Sequence, residues 1–156
     1  MTAIQSVDDL ETFLDYSFQN PKIVEDARRR KAFLNENPAQ NDECMDPLAT
    51  LGDAVLDLVA LTRLYERNER TKSGLTEFKN RQVKRKRTRE FAERNHLHEY
   101  IQWGKGELKQ NQWDTEKALD TVTEALIGAM YLDVQQADLN GITVVRKFLE
   151  EKGFFR

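Results

Sequence analysis

A chain of 156 residues that is 39% hydrophobic and 33% charged carries enough apolar material for one core, and a single domain over residues 1–156 is expected. Its lone cysteine, Cys44, excludes an internal disulfide and a zinc–cysteine cluster. No stretch approaches the ~20 apolar residues of a membrane span and no apolar leader opens the chain, so a soluble, cytoplasmic protein without membrane contact is expected.

Ser6 is placed to cap a first helix over Val7 to Asp15. Asn20-Pro21 opens a second, expected to run to about Leu34, with proline suiting the first turn. Asn35 to Asp46 is polar, contains Pro38 and reads as a loop. Asp46-Pro47 then starts a long helix to about Glu66 or Arg67, whose wide apolar face is supplied by Leu48, Leu51, Val55, Leu58, Val59 and Ala60. Ser73, with Thr76 and Glu77, begins a helix expected to continue to about Asn95. His96 to Leu108 is turn-rich, a further helix covers about Asp114 to Val134, and a last one about Ala137 to Lys152. The three prolines all lie in the first third, so the prediction is a nearly all-α fold, a compact bundle of about seven helices.

Two of these helices set a carboxylate into apolar surroundings: Asp53 within Leu48 to Asp57, and Glu124 within Thr121 to Ala129. Burying a carboxylate costs several kcal/mol unless a cation or a hydrogen-bond network compensates it. Separations of seven and four residues bring Asp46, Asp53 and Asp57 onto one helix face, and Asp120 lies one turn before Glu124. Oxygen ligands in this number suit a hard ion such as Mg²⁺. Plainer readings stay open: Asp46 as a helix-start charge, Asp57 facing solvent, and Glu124 as a buried acid satisfied by one Arg or Lys. His96 and His98 lack metal-ligand spacing to other residues, and Cys44 reads as an incidental thiol.

The net charge of −3 argues against a general polyanion binder, but it averages over a segregated pattern. Lys79, Arg81, Lys84, Arg85, Lys86, Arg87 and Arg89 follow one another with no acid between them. Such a run on a helix neutralises phosphates or is a solvated face. Arg28-Arg29-Arg30-Lys31 forms a second basic cluster, and Lys105 and Lys109 flank a glycine turn.

Leu51-Gly52-Asp53-Ala54-Val55-Leu56 resembles the signature helix of the ribonuclease III family, and Glu124 to Asp133 resembles that family's second catalytic helix. Tyr16-Ser17-Phe18 and Ala27 through Glu36 look like its opening helices, and Gly104-Lys105-Gly106-Glu107 like its mid-domain turn. The likeness covers about Tyr16 to Asp133. Two positions depart from it: Ala49 and Thr121 stand where typical members carry acids, although Asp120 sits beside the second. The Mini-III branch has a similar pattern, with Leu48-Ala49 before Gly52-Asp53-Ala54, an acid at Asp57, and Thr121 before Glu124. That branch lacks a C-terminal double-stranded-RNA-binding domain, and none is expected here.

The resemblance implies a homodimeric, all-α endoribonuclease that uses Mg²⁺, with Mn²⁺ able to substitute, and no small-molecule cofactor. It makes Asp53 and Glu124 the catalytic metal ligands, with Asp57 and Asp120 in support. Double-stranded or structured RNA, such as a ribosomal RNA precursor, would lie on Lys79, Arg81, Lys84, Arg85, Lys86, Arg87 and Arg89, with Lys105. A catalytically inactive member that binds RNA or a ribosomal particle is the alternative, and a helical interaction protein without RNA is a third reading.

Overall fold

The computed structural model describes residues 4–38 and 42–155, so Ala39 to Asn41 of the expected loop lie outside the described residues. In chain order the elements are α1 (Val7–Leu14), α2 (Pro21–Ala27), α3 (Lys31–Glu36), α4 (Asp46–Glu66), α5 (Lys72–Lys79), α6 (Arg81–Arg94), a 3₁₀ turn (Leu97–Tyr100), α7 (Lys105–Lys109), a second 3₁₀ turn (Gln112–Asp114), α8 (Glu116–Gln136) and α9 (Gly141–Glu151). The all-α expectation holds. Among the described residues the only β-type pairing is one isolated bridge, Arg29 with Gln102.

Two predicted helices are each broken in two. The helix expected from Pro21 to Leu34 stops at Ala27, because after the cap residue Arg28 the chain is drawn alongside a neighbouring loop, with Arg29 bridged to Gln102 and Arg30 extended. There the Gln102 N–H donates to the Arg28 carbonyl at 2.7 Å, and the Arg30 N–H donates to the Gln102 carbonyl at 3.1 Å. The buried Arg28 guanidinium locks this arrangement by donating to the carbonyls of Tyr100 and Gln5. The helix expected from Ser73 to Asn95 instead begins after Thr71 and divides at Asn80. The Asn80 side chain accepts from the Gln82 N–H at 3.0 Å and so caps a new helix.

Helices α4 and α8 form the centre, with α6 and α9 packed on them. They cross where Gly52 meets Gly128. A Cβ at Gly52 would overlap the Glu124 carbonyl, and one at Gly128 would overlap the Leu48 carbonyl. The two backbones are therefore in direct contact, which bare hydrogen alone permits. Leu48, Ala49, Val55, Leu56, Val59 and Ala60 of α4 are buried together with Val122, Ala125, Leu126, Ile127 and Ala129 of α8. The apolar face expected of α4 is thus divided, since Leu58 is 52% exposed and Leu51 only half-buried. Asp133, 1% exposed, ties the chain's start to α8 by accepting from the Tyr16 hydroxyl at 2.5 Å and from the N–H groups of Gln19 and Asn20 at 2.8 and 2.9 Å.

Candidate functional site at the crossing of α4, α6 and α8

The glycine contact dictates which side chains meet. With Gly52 against the Glu124 carbonyl, the neighbouring Asp53 is brought to Glu124, and one further turn on each helix adds Asp57 and Asp120. Helix α6 lies across this group of four acids and turns Lys84, Arg85 and Thr88 toward it.

Lys84 is 6% exposed, and its ammonium donates to Asp53 and, at 2.9 Å, to Asp57. Burial pulls its pKa down, but the two hydrogen bonds and charges of Asp53 and Asp57 outweigh this and leave it above the ordinary lysine value. Asp120 accepts from the Thr88 hydroxyl at 2.6 Å, and its other oxygen is 3.6 Å from Arg85 Nε, a buried donor with no hydrogen-bond partner of its own among the described residues. Glu124 is in a different position. Burial, the charges of Asp120 and Asp53 and a hydrogen bond with Asp120 push it up to about 8, with Lys84 opposing the rise. The charged groups acting on Glu124 are thus two acids, Asp120 and Asp53, and one cation, Lys84.

These acids carry more negative charge than Lys84 and Arg85 offset. Their donors are hard oxygens, and the residues that could hold a divalent ion are Asp53, Asp120 and Glu124; Lys84 pairs with both Asp53 and Asp57, but of these two it is Asp53 whose charge acts on Glu124. Among the described residues no three His, Cys, Asp or Glu side chains already converge to coordination geometry.

Asp46 is not part of this group. It is exposed at the start of α4, bordering a separate depression with Arg30, Lys31, Lys117 and Thr121. Thr121 turns its hydroxyl back to the Lys117 carbonyl, and Ala49 is buried in the core. Cys44 is a free, half-buried thiol. His98 stacks on Trp113 and accepts the Trp103 indole N–H through its carbonyl.

The basic run is sorted by the fold. Lys84, expected among the phosphate contacts, is instead buried against Asp53 and Asp57. Arg85 leans on Asp120, Arg87 donates to the Phe154 carbonyl, and Arg89 pairs with Glu93 at 2.7 Å. Lys79, Arg81 and Lys86 are exposed, and Lys105 is exposed at the start of α7. The second basic cluster is mostly paired within the chain: Arg29 with Asp26 at 3.0 Å, and Arg30 with Glu107 at 2.9 Å. Thr88 and the inward role of Lys84 escaped sequence reasoning, although a signal was present. Lys84, Thr88, Phe91 and Ala92 are the buried residues of α6, at helical spacing on one stripe.

The family profile described as Ribonuclease-III-like matches residues 20–152. Ribonuclease 3 of Leuconostoc mesenteroides subsp. mesenteroides is 32% identical over 139 residues, covering 88% of this chain and 56% of its own length. Ribonuclease 3 of Listeria innocua is 33% identical over 144 residues (92% and 60%), and that of Lactobacillus johnsonii 33% identical over 150 residues (96% and 63%). The chain thus spans a little over half the length of these relatives. Two solved structures of the nuclease domain of ribonuclease III from Campylobacter jejuni superpose with a TM-score of 0.77 at 24% identity. They cover 94% and 98% of this chain and 98% and 99% of their own, and one is described for flexibility in a region involved in dimer formation. With residues 20–152 matching the family profile and the whole helical arrangement shared with a ribonuclease III nuclease domain, the chain belongs to the ribonuclease III-like family.

Proposed function

We propose that this chain is a divalent-metal-dependent endoribonuclease that cleaves double-stranded regions of structured RNA, such as ribosomal RNA precursors. The observation that carries this reading is the gathering of the hard oxygen donors of Asp53, Asp120 and Glu124 at the α4–α8 crossing. A divalent ion, when bound, supplies Lewis-acid activation of water and neutralises charge at the phosphodiester. Asp53 and Glu124 would hold it, Asp120 supporting them, and Glu124 releases on loading the proton it keeps in the metal-free chain. Exposed Lys79, Arg81 and Lys86, together with Lys105, supply cations for the phosphates of an A-form duplex, whose narrow major groove makes recognition a matter of shape and charge.

The same reading includes a homodimer. Leu51, Ala54, Leu58, Leu61 and Tyr65 form a stripe at alternating three- and four-residue spacing along α4, with Leu58 52% and Tyr65 53% exposed. A second copy covering this stripe removes apolar surface from water on both sides of a two-fold axis. The Campylobacter nuclease domain, described as dimer-forming, supports the choice of occupant.

A catalytically inactive RNA-binding protein of the same fold is the second reading, favoured by the Lys84 ammonium on Asp53 and by Ala49 and Thr121. Cleavage of a long RNA duplex with Mg²⁺ separates the two. The enzyme reading expects cutting that Asp53→Asn or Glu124→Gln lowers by more than about 100-fold. RNA binding without cutting in either Mg²⁺ or Mn²⁺ would overturn it in favour of the inactive protein.

A further inference from the structure

Lysine is the least expected residue on a buried helix stripe, because its ammonium must be paired to leave water. Lys84 occupies such a stripe with Thr88, Phe91 and Ala92, so its stem lies in the core and its head emerges between Asp53 and Asp57. The ammonium therefore sits where two carboxylates one helical turn apart converge, the place an ion bridging them would take.

Counting charge around the crossing decides how much room is left. Asp53, Asp57, Asp120 and Glu124 contribute four negative charges when ionised, and Lys84 and Arg85 two positive ones. The remainder is two negative charges, which one divalent ion neutralises and a second would reverse. We propose that Lys84 is a resident cation fixed in the place of a second metal, so that the chain loads one divalent ion, on Asp53, Asp120 and Glu124, while Asp57 is committed to the ammonium. The proposal rests on the metal-nuclease reading above. Lys84 is in this sense a positioning residue: it orients Asp53 for the ion and takes Asp57 out of the ligand set.

Mn²⁺ binding to the whole protein, followed by the loss of the free-ion signal in electron paramagnetic resonance at high ionic strength, tests it. The natural chain is expected to bind one Mn²⁺ per chain, a result that needs no variant. Lys84→Met is expected to bind two, and Lys84→Arg, which keeps the charge, one. Two ions in the natural chain, or one in a folded Lys84→Met protein, would overturn the assignment. Duplex cleavage measured on the same samples keeps the readings apart. A natural chain that cuts RNA with two ions bound refutes only the role of Lys84, whereas one that binds a single ion and never cuts supports that role and refutes the nuclease.

Discussion

At Glu124 the proton is held by neighbours of the same sign. Burial, with Asp120 and Asp53 beside it, raises the carboxyl from 4.5 to about 8, so the folded chain keeps a proton at neutral pH that the unfolded chain gives up near 4.5. The resulting stabilisation is complete below 4.5 and is lost as pH rises through about 8, because the folded state must then ionise Glu124 among acids. Thermal unfolding of the metal-free protein in EDTA should show a midpoint that falls across this window, and Glu124→Gln should flatten the fall. The same decline in both proteins would assign it to another group. Asp120 differs, since the Thr88 hydroxyl and Arg85 are aimed at that carboxylate, whereas among the described residues no comparable donor serves Glu124.

Among the elements, the α4–α8 pair controls both the core and the candidate site. Gly52→Ala drives a methyl into the Glu124 carbonyl, a backbone atom that cannot swing aside, so the helices must part. The expected loss is about 3 kcal/mol, at the upper end of ordinary overpacking, read as a lower denaturant midpoint. Mn²⁺ affinity should fall with it, because parting the helices separates Asp53 from Glu124. Gly106→Ala is the control: nothing lies within 4 Å of its Cβ, and the change should be neutral or stabilise by about 0.5 kcal/mol. Equal behaviour of the two variants would refute the direct backbone contact.

For the molecule as a whole, charge is distributed so that a chain of net charge −3 still presents cations across the end of α5 and along α6. Of the seven basic residues from Lys79 to Arg89, the fold turns Lys84 inward and engages Arg85, Arg87 and Arg89 within the chain, leaving Lys79, Arg81 and Lys86 most open to a ligand. Binding to an RNA duplex should weaken steeply with salt. Replacing any one of these three by Ala should reduce the slope of log K against log salt by about 1, the signature of one lost phosphate contact, whereas Lys84→Met should leave it unchanged. A slope insensitive to all three would move the RNA to another face.

Most of the helical segments, and which acids are set among apolar residues, are legible in the amino-acid order. Capping residues such as Ser6 and Asn20, the spacing of apolar residues along α4 and α8, and the embedded Asp53 and Glu124 are local signals that act within a few residues, whereas the last helix, expected from about Ala137, starts only after its cap Asn140. Those signals are legible because backbone propensity and helical periodicity are short-range. Asn80 is a signal of the same local kind, a cap residue inside an otherwise continuous basic stretch that starts α6. The tertiary structure decided what periodicity cannot express. The break at Arg28 to Arg30 arises because a distant loop supplies Gln102 as partner, and Asp46 leaves the acid group because α4 meets α8 at Gly52, six residues away. Above all, the conversion of Lys84 from a surface cation to the counter-ion of Asp53 and Asp57 depends on which face of α6 is buried. A charge run alone cannot reveal that face, because the choice rests on the free energy of packing three helices together.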